Sequence, residues 1–216
     1  MRIVVLALFL CAACGDGDRP KAVGPTPLED PWKARKTAPA VFKVKFETSK
    51  GDIIATFTRA WSPEGVDRVY SMVRAGYFDG VRFYRVAYDF VAQFGIHGDP
   101  AINGAWRTYF LPDEPRHESN RKGTIVFAQM SRPNSRSNQL FINLKDNPQL
   151  DARGFTPLGE VTEGMKVVRS LHSGYGEGPS AGGRGPDQAT FAVQGNAYLD
   201  QVFPKLDEIR RATVIQ

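Results

Sequence analysis

"FYRVAYDFVAQFG", Phe83 to Gly95, sets Arg85 and Gln93 inside a run of aromatic and β-branched residues. Such a run has the composition of paired strands. An arginine and a glutamine are expensive to bury there unless something pairs with them. The stretch therefore predicts a mostly buried strand pair carrying two polar side chains that have a partner. A salt bridge from Arg85 to Asp89 or Asp99 would be one alternative explanation.

Upstream, Phe42 to Phe46 alternates strictly, Ser49 to Asp52 breaks the pattern, and Ile53 to Phe57 resumes it. That reads as a hairpin with one wet and one dry face. Ser62 offers an N-cap and Pro63 a first helical position, after which Val66, Val69, Tyr70 and Val73 recur at helical spacing until Gly76. Downstream, short β-type runs dominate: Val81 to Val86, Phe90 to Gly95, Gly123 to Ala128, Gln139 to Asn143 and Phe155 to Val161. No strand-helix alternation suggests a parallel sheet, and a sheet with this many edges is expected to close into a barrel. A second helix is expected near Met165 to Leu171, and the tail Phe203 to Ile215 has helical spacing at Leu206, Ile209 and Arg210.

The first forty residues differ from the rest. Arg2 supplies a positive start, Ile3 to Ala13 is apolar, and small residues Ala12 and Ala13 precede Cys14, which is a signal-peptide layout. Cys14 there resembles the modified cysteine of a bacterial lipoprotein, the alternative being an ordinary cleaved secretory signal. The apolar run is shorter than the roughly 20 residues a membrane-spanning helix needs. Gly15 to Ala40 holds five prolines and no hydrophobic periodicity, and reads as a flexible linker. Residues 1–13, 14–40 and 41–216 thus divide into signal, lipid-anchor cysteine with tether, and one domain. No cysteine follows Cys14, so no disulfide is available to the domain. The net charge of +5 is spread without a basic block, and no nucleic-acid motif accompanies it.

Gly174 to Gly185, "GYGEGPSAGGRG", invites a phosphate-loop reading and fails it, because neither glycine fingerprint fits and no strand feeds it. His97, His117 and His172 are far apart without cysteine partners and read as dispersed surface histidines. Neither a metal nor a cofactor is expected.

Three segments carry a family resemblance. Phe83, Arg85, Val86, Phe90, Val91 and Gln93 spell F-x-R-V-x-x-x-F-V-x-Q; Asp113-Glu114, Gly123 to Ala128 and Gln139 to Ile142 follow in order; Leu150-Asp151 and Gly159 to Met165 complete the series. In this order and spacing, from about Phe42 to Leu171, the chain resembles the cyclophilin family of peptidyl-prolyl isomerases. The resemblance implies a mainly β fold, a closed antiparallel barrel capped by two helices. It also implies that Arg85 and Gln93 are the catalytic pair. Phe90, Val91, Ala128, Gln129, Gln139, Phe141, Leu150, Phe155 and Tyr84 would contact the substrate. Tyr84, Gln129, Gln149 and Phe155 depart from the residues common in the family, histidine, asparagine, tryptophan and histidine.

The expected activity is rotation about X-Pro peptide bonds in unfolded or loop segments of exported proteins. The alternative is a proline-peptide binding module or envelope chaperone without turnover. Partners would be proline-containing polypeptides, with the membrane touched only through Cys14, and the chain a monomer. Gly15 stands where a retention aspartate would hold a bacterial lipoprotein on the inner membrane. The expected place is therefore the outer membrane facing the periplasm, or otherwise the soluble periplasm or medium.

Overall fold

The computed structural model describes Gly24 and residues 26–215. The signal sequence and Cys14 lie outside the described residues. After a short helix α1 (Pro31–Ala34), strands β1 (Val41–Thr48) and β2 (Gly51–Thr58) form the expected antiparallel hairpin. Its alternation decides its faces: Phe42, Val44 and Phe46 of β1 and Ile53, Ala55 and Phe57 of β2 are buried, while Lys43 is exposed. Helix α2 (Pro63–Arg74) buries Val66, Val69, Met72 and Val73.

The remaining elements follow in chain order: β3 (Val81–Arg82), β4 (Arg85–Ala87), β5 (Val91–Phe94), α3 (Pro100–Arg107), β6 (Thr124–Phe127), β7 (Leu140–Asn143), β8 (Pro157–Glu163), α4 (Met165–Ser170), α5 (Gln188–Gln194), α6 (Asn196–Val202) and β9 (Glu208–Ile215). All ladders are antiparallel, in the order β3-β9-β1-β2-β8-β6-β7-β5-β4. The two end strands, β3 and β4, are separated along the chain only by Phe83 and Tyr84. The curled sheet is thus completed by the chain itself rather than by a ladder between its ends. The expected mainly β, antiparallel fold is present, as a curled half-barrel sheet rather than a fully hydrogen-bonded closed barrel.

Four expectations are corrected. Segment 208–215, expected to be helical, is β9, paired with β1 and β3. The reason is tertiary: the outer edge of β1 needs a partner, and Thr213, Val214 and Ile215 are β-branched. Second, 26–40 is docked rather than a free tether. Ala34 and Ala38 are buried in the main core, Asp67 Oδ1 accepts from the Ala38 N–H at 2.9 Å, and the Trp106 indole N–H donates to the Leu28 carbonyl at 2.7 Å. Third, His97 is buried, its ring 5.1 Å from that of Tyr77. Fourth, Ser62 is the N-cap residue of α2, yet its hydroxyl does not cap. Glu114 does so instead, accepting from the Glu64 N–H at 2.8 Å and the Gly65 N–H at 3.1 Å.

Candidate active site

Period-two alternation builds the site. Arg85 of β4 is directly opposite Gln93 of β5, Gln93 opposite Phe141 of β7, and Phe141 opposite Val126 of β6. The neighbouring row, Val86, Ala92, Ile142 and Ile125, belongs to the main core. Because successive side chains point to opposite faces, one row fills the barrel and the next lines its outside. Gly95 ends β5 with φ 107°, and a Cβ there would stand 2.3 Å from the Asn138 carbonyl oxygen, so only glycine lets the two segments approach.

The polar half of the row is chained by hydrogen bonds. Arg85 Nη1 donates to Gln93 Oε1 at 2.9 Å, and Gln93 Nε2 donates to Gln139 Oε1 at 3.0 Å. That oxygen also accepts from the Tyr84 hydroxyl at 2.6 Å. Burial pushes the Tyr84 hydroxyl well above its ordinary value, so it remains a donor. The carboxylate partner of Arg85 is Glu177, met through Nε at 2.6 Å and Nη2 at 2.8 Å. Asp89 pairs instead with Lys145 at 3.8 Å, and Asp99 caps α3 by accepting from the Ala101 and Ile102 N–H groups. The alternative of a salt bridge from Arg85 to Asp89 or Asp99 is thus excluded.

The apolar half is a separate cluster of Val91, Val126, Phe141, Leu150 and Phe155, with Phe90 and Ala128 packed against it. The Phe141 and Phe155 rings meet edge to face at 5.7 Å, and the Arg85 guanidinium lies 5.7 Å from the centre of the Phe90 ring. A chain of buried amides stands behind this wall. Asn147 donates to the Phe90 carbonyl at 3.1 Å and to Asn143 at 2.8 Å; Asn120 donates to the Phe155 carbonyl at 2.9 Å and to Asp151 at 2.8 Å. Asn143 joins the two halves through Asn120 at 3.2 Å. Satisfied amides of this kind fix backbone positions because leaving any one unpaired is costly.

These groups line a cleft of about 690 Å³. Arg85, Gln93, Phe90, Val91, Ala128, Gln129, Gln139, Phe141, Leu150 and Phe155 all stand on its wall. Tyr84 does not: it is 1 % exposed and packs on Phe191 of α5, beneath the glutamines. Its expected contact with substrate is corrected to a supporting role, because its ring has joined a second small core with Ile96, Phe191, Leu199 and Phe203. The sequence reading missed the far wall, where Asn103 and Arg107 of α3 face Gln188, Ala192 and Val193 of α5. Glu177 was missed as well, although its glycine-rich segment had been noticed. Among the described residues no group of three or more His, Cys, Asp or Glu side chains is placed to hold a metal ion. Among them, too, no helix is long and apolar enough to cross a membrane.

The site is thus an outward-facing cleft on a curled antiparallel sheet, with an aromatic cluster on its wall and the Arg85 guanidinium beside it. Residues 43–188 match the family model described as cyclophilin type peptidyl-prolyl cis-trans isomerase/CLD. A peptidyl-prolyl cis-trans isomerase of Streptomyces antibioticus is 32% identical over 146 residues, 64% of this chain and 87% of the relative. A probable peptidyl-prolyl cis-trans isomerase of Brucella abortus is 30% identical over 153 residues, 66% of this chain and 77% of the relative. Among solved structures, a cyclophilin type peptidyl-prolyl cis-trans isomerase of Cryptosporidium parvum matches with a TM-score of 0.60 at 18% identity, covering 82% of this chain and 98% of the other. The same Cryptosporidium protein in the presence of the dipeptide Ala-Pro matches at 0.59 and 19%, covering 81% and 99%. The chain belongs to the cyclophilin-type peptidyl-prolyl cis-trans isomerase family. It is a peptidyl-prolyl cis-trans isomerase.

Proposed function

We propose that Arg85 is the catalytic donor of this isomerase, that the cluster around Phe141 holds the substrate proline, and that the clients are exported polypeptides. An X-Pro bond rotates through a twisted state in which amide resonance is lost, over an intrinsic barrier of about 20 kcal/mol. No covalent intermediate is required. Twisting localises a lone pair on the imide nitrogen, so a donor aimed there binds the twisted state more strongly than the planar one. The pocket clamps the ring: burying the methylenes of a pyrrolidine is worth about 2 kcal/mol. The observation that supports this assignment is the placement of a guanidinium, 20% exposed as a side chain, beside the Phe90 ring on a cleft wall that also carries the apolar cluster of Val91, Phe141, Leu150 and Phe155. In a proline-limited peptide isomerisation assay, Arg85→Ala is expected to lower the catalysed rate about 100-fold, the usual loss for a transition-state donor. A variant as fast as the parent sinks the assignment, and a parent no faster than buffer leaves the reading of a binding module without turnover.

The proposed place is the periplasmic face of an outer membrane, with Cys14 as the lipid-bearing residue. The reading is supported by the apolar run ahead of that cysteine and by Gly15 after it. Labelling with a palmitate analogue tests it. The parent is expected to take up label and fractionate with membranes, and Cys14→Ser to do neither; an unlabelled parent leaves a soluble secreted enzyme.

A further inference from the structure

The glycine-rich segment 174–185 contributes Glu177, the carboxylate partner of Arg85, to the site. It lies between α4 and α5 and is closed on itself by backbone hydrogen bonds: the Gly183 N–H donates to the Gly178 carbonyl at 3.1 Å and the Gly185 N–H to the Glu177 carbonyl at 2.7 Å. A Cβ on Gly183 would stand 1.9 Å from the Glu177 carbonyl oxygen, a contact no side chain survives. The loop therefore wraps round the backbone of one residue. Tyr175 anchors its start, with its ring 5.0 Å from that of Phe203 in the second small core. The side chain of the wrapped residue leaves the loop and takes Arg85 by two donors, at 2.6 and 2.8 Å.

We propose that Glu177 is a positioning residue for the isomerase reaction: it fixes the guanidinium plane of Arg85, and the glycine-rich loop exists to hold Glu177 there. The inference rests on Arg85 being the catalytic donor. A guanidinium carries five N–H groups in one plane. Glu177 engages Nε and one N–H of Nη2, and Gln93 engages one N–H of Nη1. Two N–H groups remain, one on each terminal nitrogen, for the twisting imide. Held by Gln93 alone, the group would be fixed at a single point and free to turn. A bidentate carboxylate adds the second and third points and removes that freedom before substrate arrives. The pair is partly withdrawn from water, at 20% and 33% side-chain exposure, where such a contact is stronger than on an open surface. A competitive role, with the carboxylate masking Arg85 from substrate, would require the loop to move aside, and its self-bonded, glycine-dependent closure argues against that.

The test compares full-length parent with Glu177→Ala and Glu177→Gln in the peptide assay, with the Arg85 Nε–H signal followed by NMR and folding checked by thermal melting. Glu177→Ala is expected to lower kcat about tenfold with KM within twofold, and to broaden or move the Nε–H signal. Glu177→Gln, with one acceptor oxygen, is expected to fall between, and it carries the test alone if the alanine variant does not fold. A kcat within twofold of the parent, or above it, overturns the proposal, as does an Nε–H signal unchanged in both variants. Arg85→Ala separates the two failures. If it retains parental activity, the donor assignment fails and takes this inference with it; if it is inactive while both Glu177 variants match the parent, the inference fails alone.

Discussion

Tyr84 and Arg85 are chain neighbours with different tasks. Arg85 stands on the cleft wall, whereas the Tyr84 ring packs on Phe191 and its hydroxyl donates to Gln139. Tyr84→Phe removes one donor from an oxygen that keeps a second, from Gln93. The expected cost is about 1 kcal/mol of stability. The peptide-isomerisation rate should stay within about threefold of the parent, and a tenfold loss carried by KM would return Tyr84 to the substrate. Residues such as Arg85, Gln93 and Phe141 were legible in the sequence because they share a motif with fixed spacing. Tyr84 was assigned from the family position beside the arginine, and a position inside the motif says nothing about face where the chain passes between β3 and β4. Glu177 was illegible for another reason: it is 92 residues from Arg85, and no local pattern joins them.

The start of α2 depends on a carboxylate from another part of the chain. Glu114 accepts from the Ser62 hydroxyl, from two backbone N–H groups of the first turn, and from Arg136, whose side chain is almost wholly buried. Burial alone would raise the Glu114 carboxyl, but the bonds from Ser62, the Glu64 N–H and Arg136 outweigh it and hold the group below the usual carboxylate range. The folded value is thus below the unfolded one. The stabilisation is present above the unfolded value of about 4.3 and is lost as pH falls through the folded value. Glu114→Gln is expected to cost about 3 kcal/mol at neutral pH, because it leaves the Arg136 charge buried without its carboxylate. Its melting temperature should fall less steeply than the parent's as pH drops below about 5. Parallel curves would remove Glu114 from that role. Elements of this sheet were legible wherever one face is dry, as in β1, where every second residue from Phe42 is buried. Strand β9 was not, because its pairing partners β1 and β3 are distant in sequence and its own burial does not alternate cleanly.

At the scale of the molecule, proline content misled the reading of the segment before β1. Its prolines break periodicity, but Pro31 opens α1 and Ala34 and Ala38 fill the core beside α2. Small residues can seal a core without making a hydrophobic pattern, which is why composition suggested a free tether. The docking also reaches the cleft: the Leu28 carbonyl accepts from Trp106 of α3, the helix that supplies Asn103 and Arg107 to the far wall. A chain beginning at Ala40 should therefore fold but lose stability relative to one beginning at Gly24. The buried alanines and Leu28, less the entropy of ordering a short segment, suggest roughly 2 kcal/mol net. For a chain of this size that is a melting temperature lower by about 4–8 °C. Turnover should fall by a few-fold at most, since Arg85, Gln93, Val91, Val126 and Phe141 lie on strands that the segment does not pair with. Equal melting temperatures for the two chains would show that residues 26–39 contribute nothing to the fold, and would return them to the part of a tether.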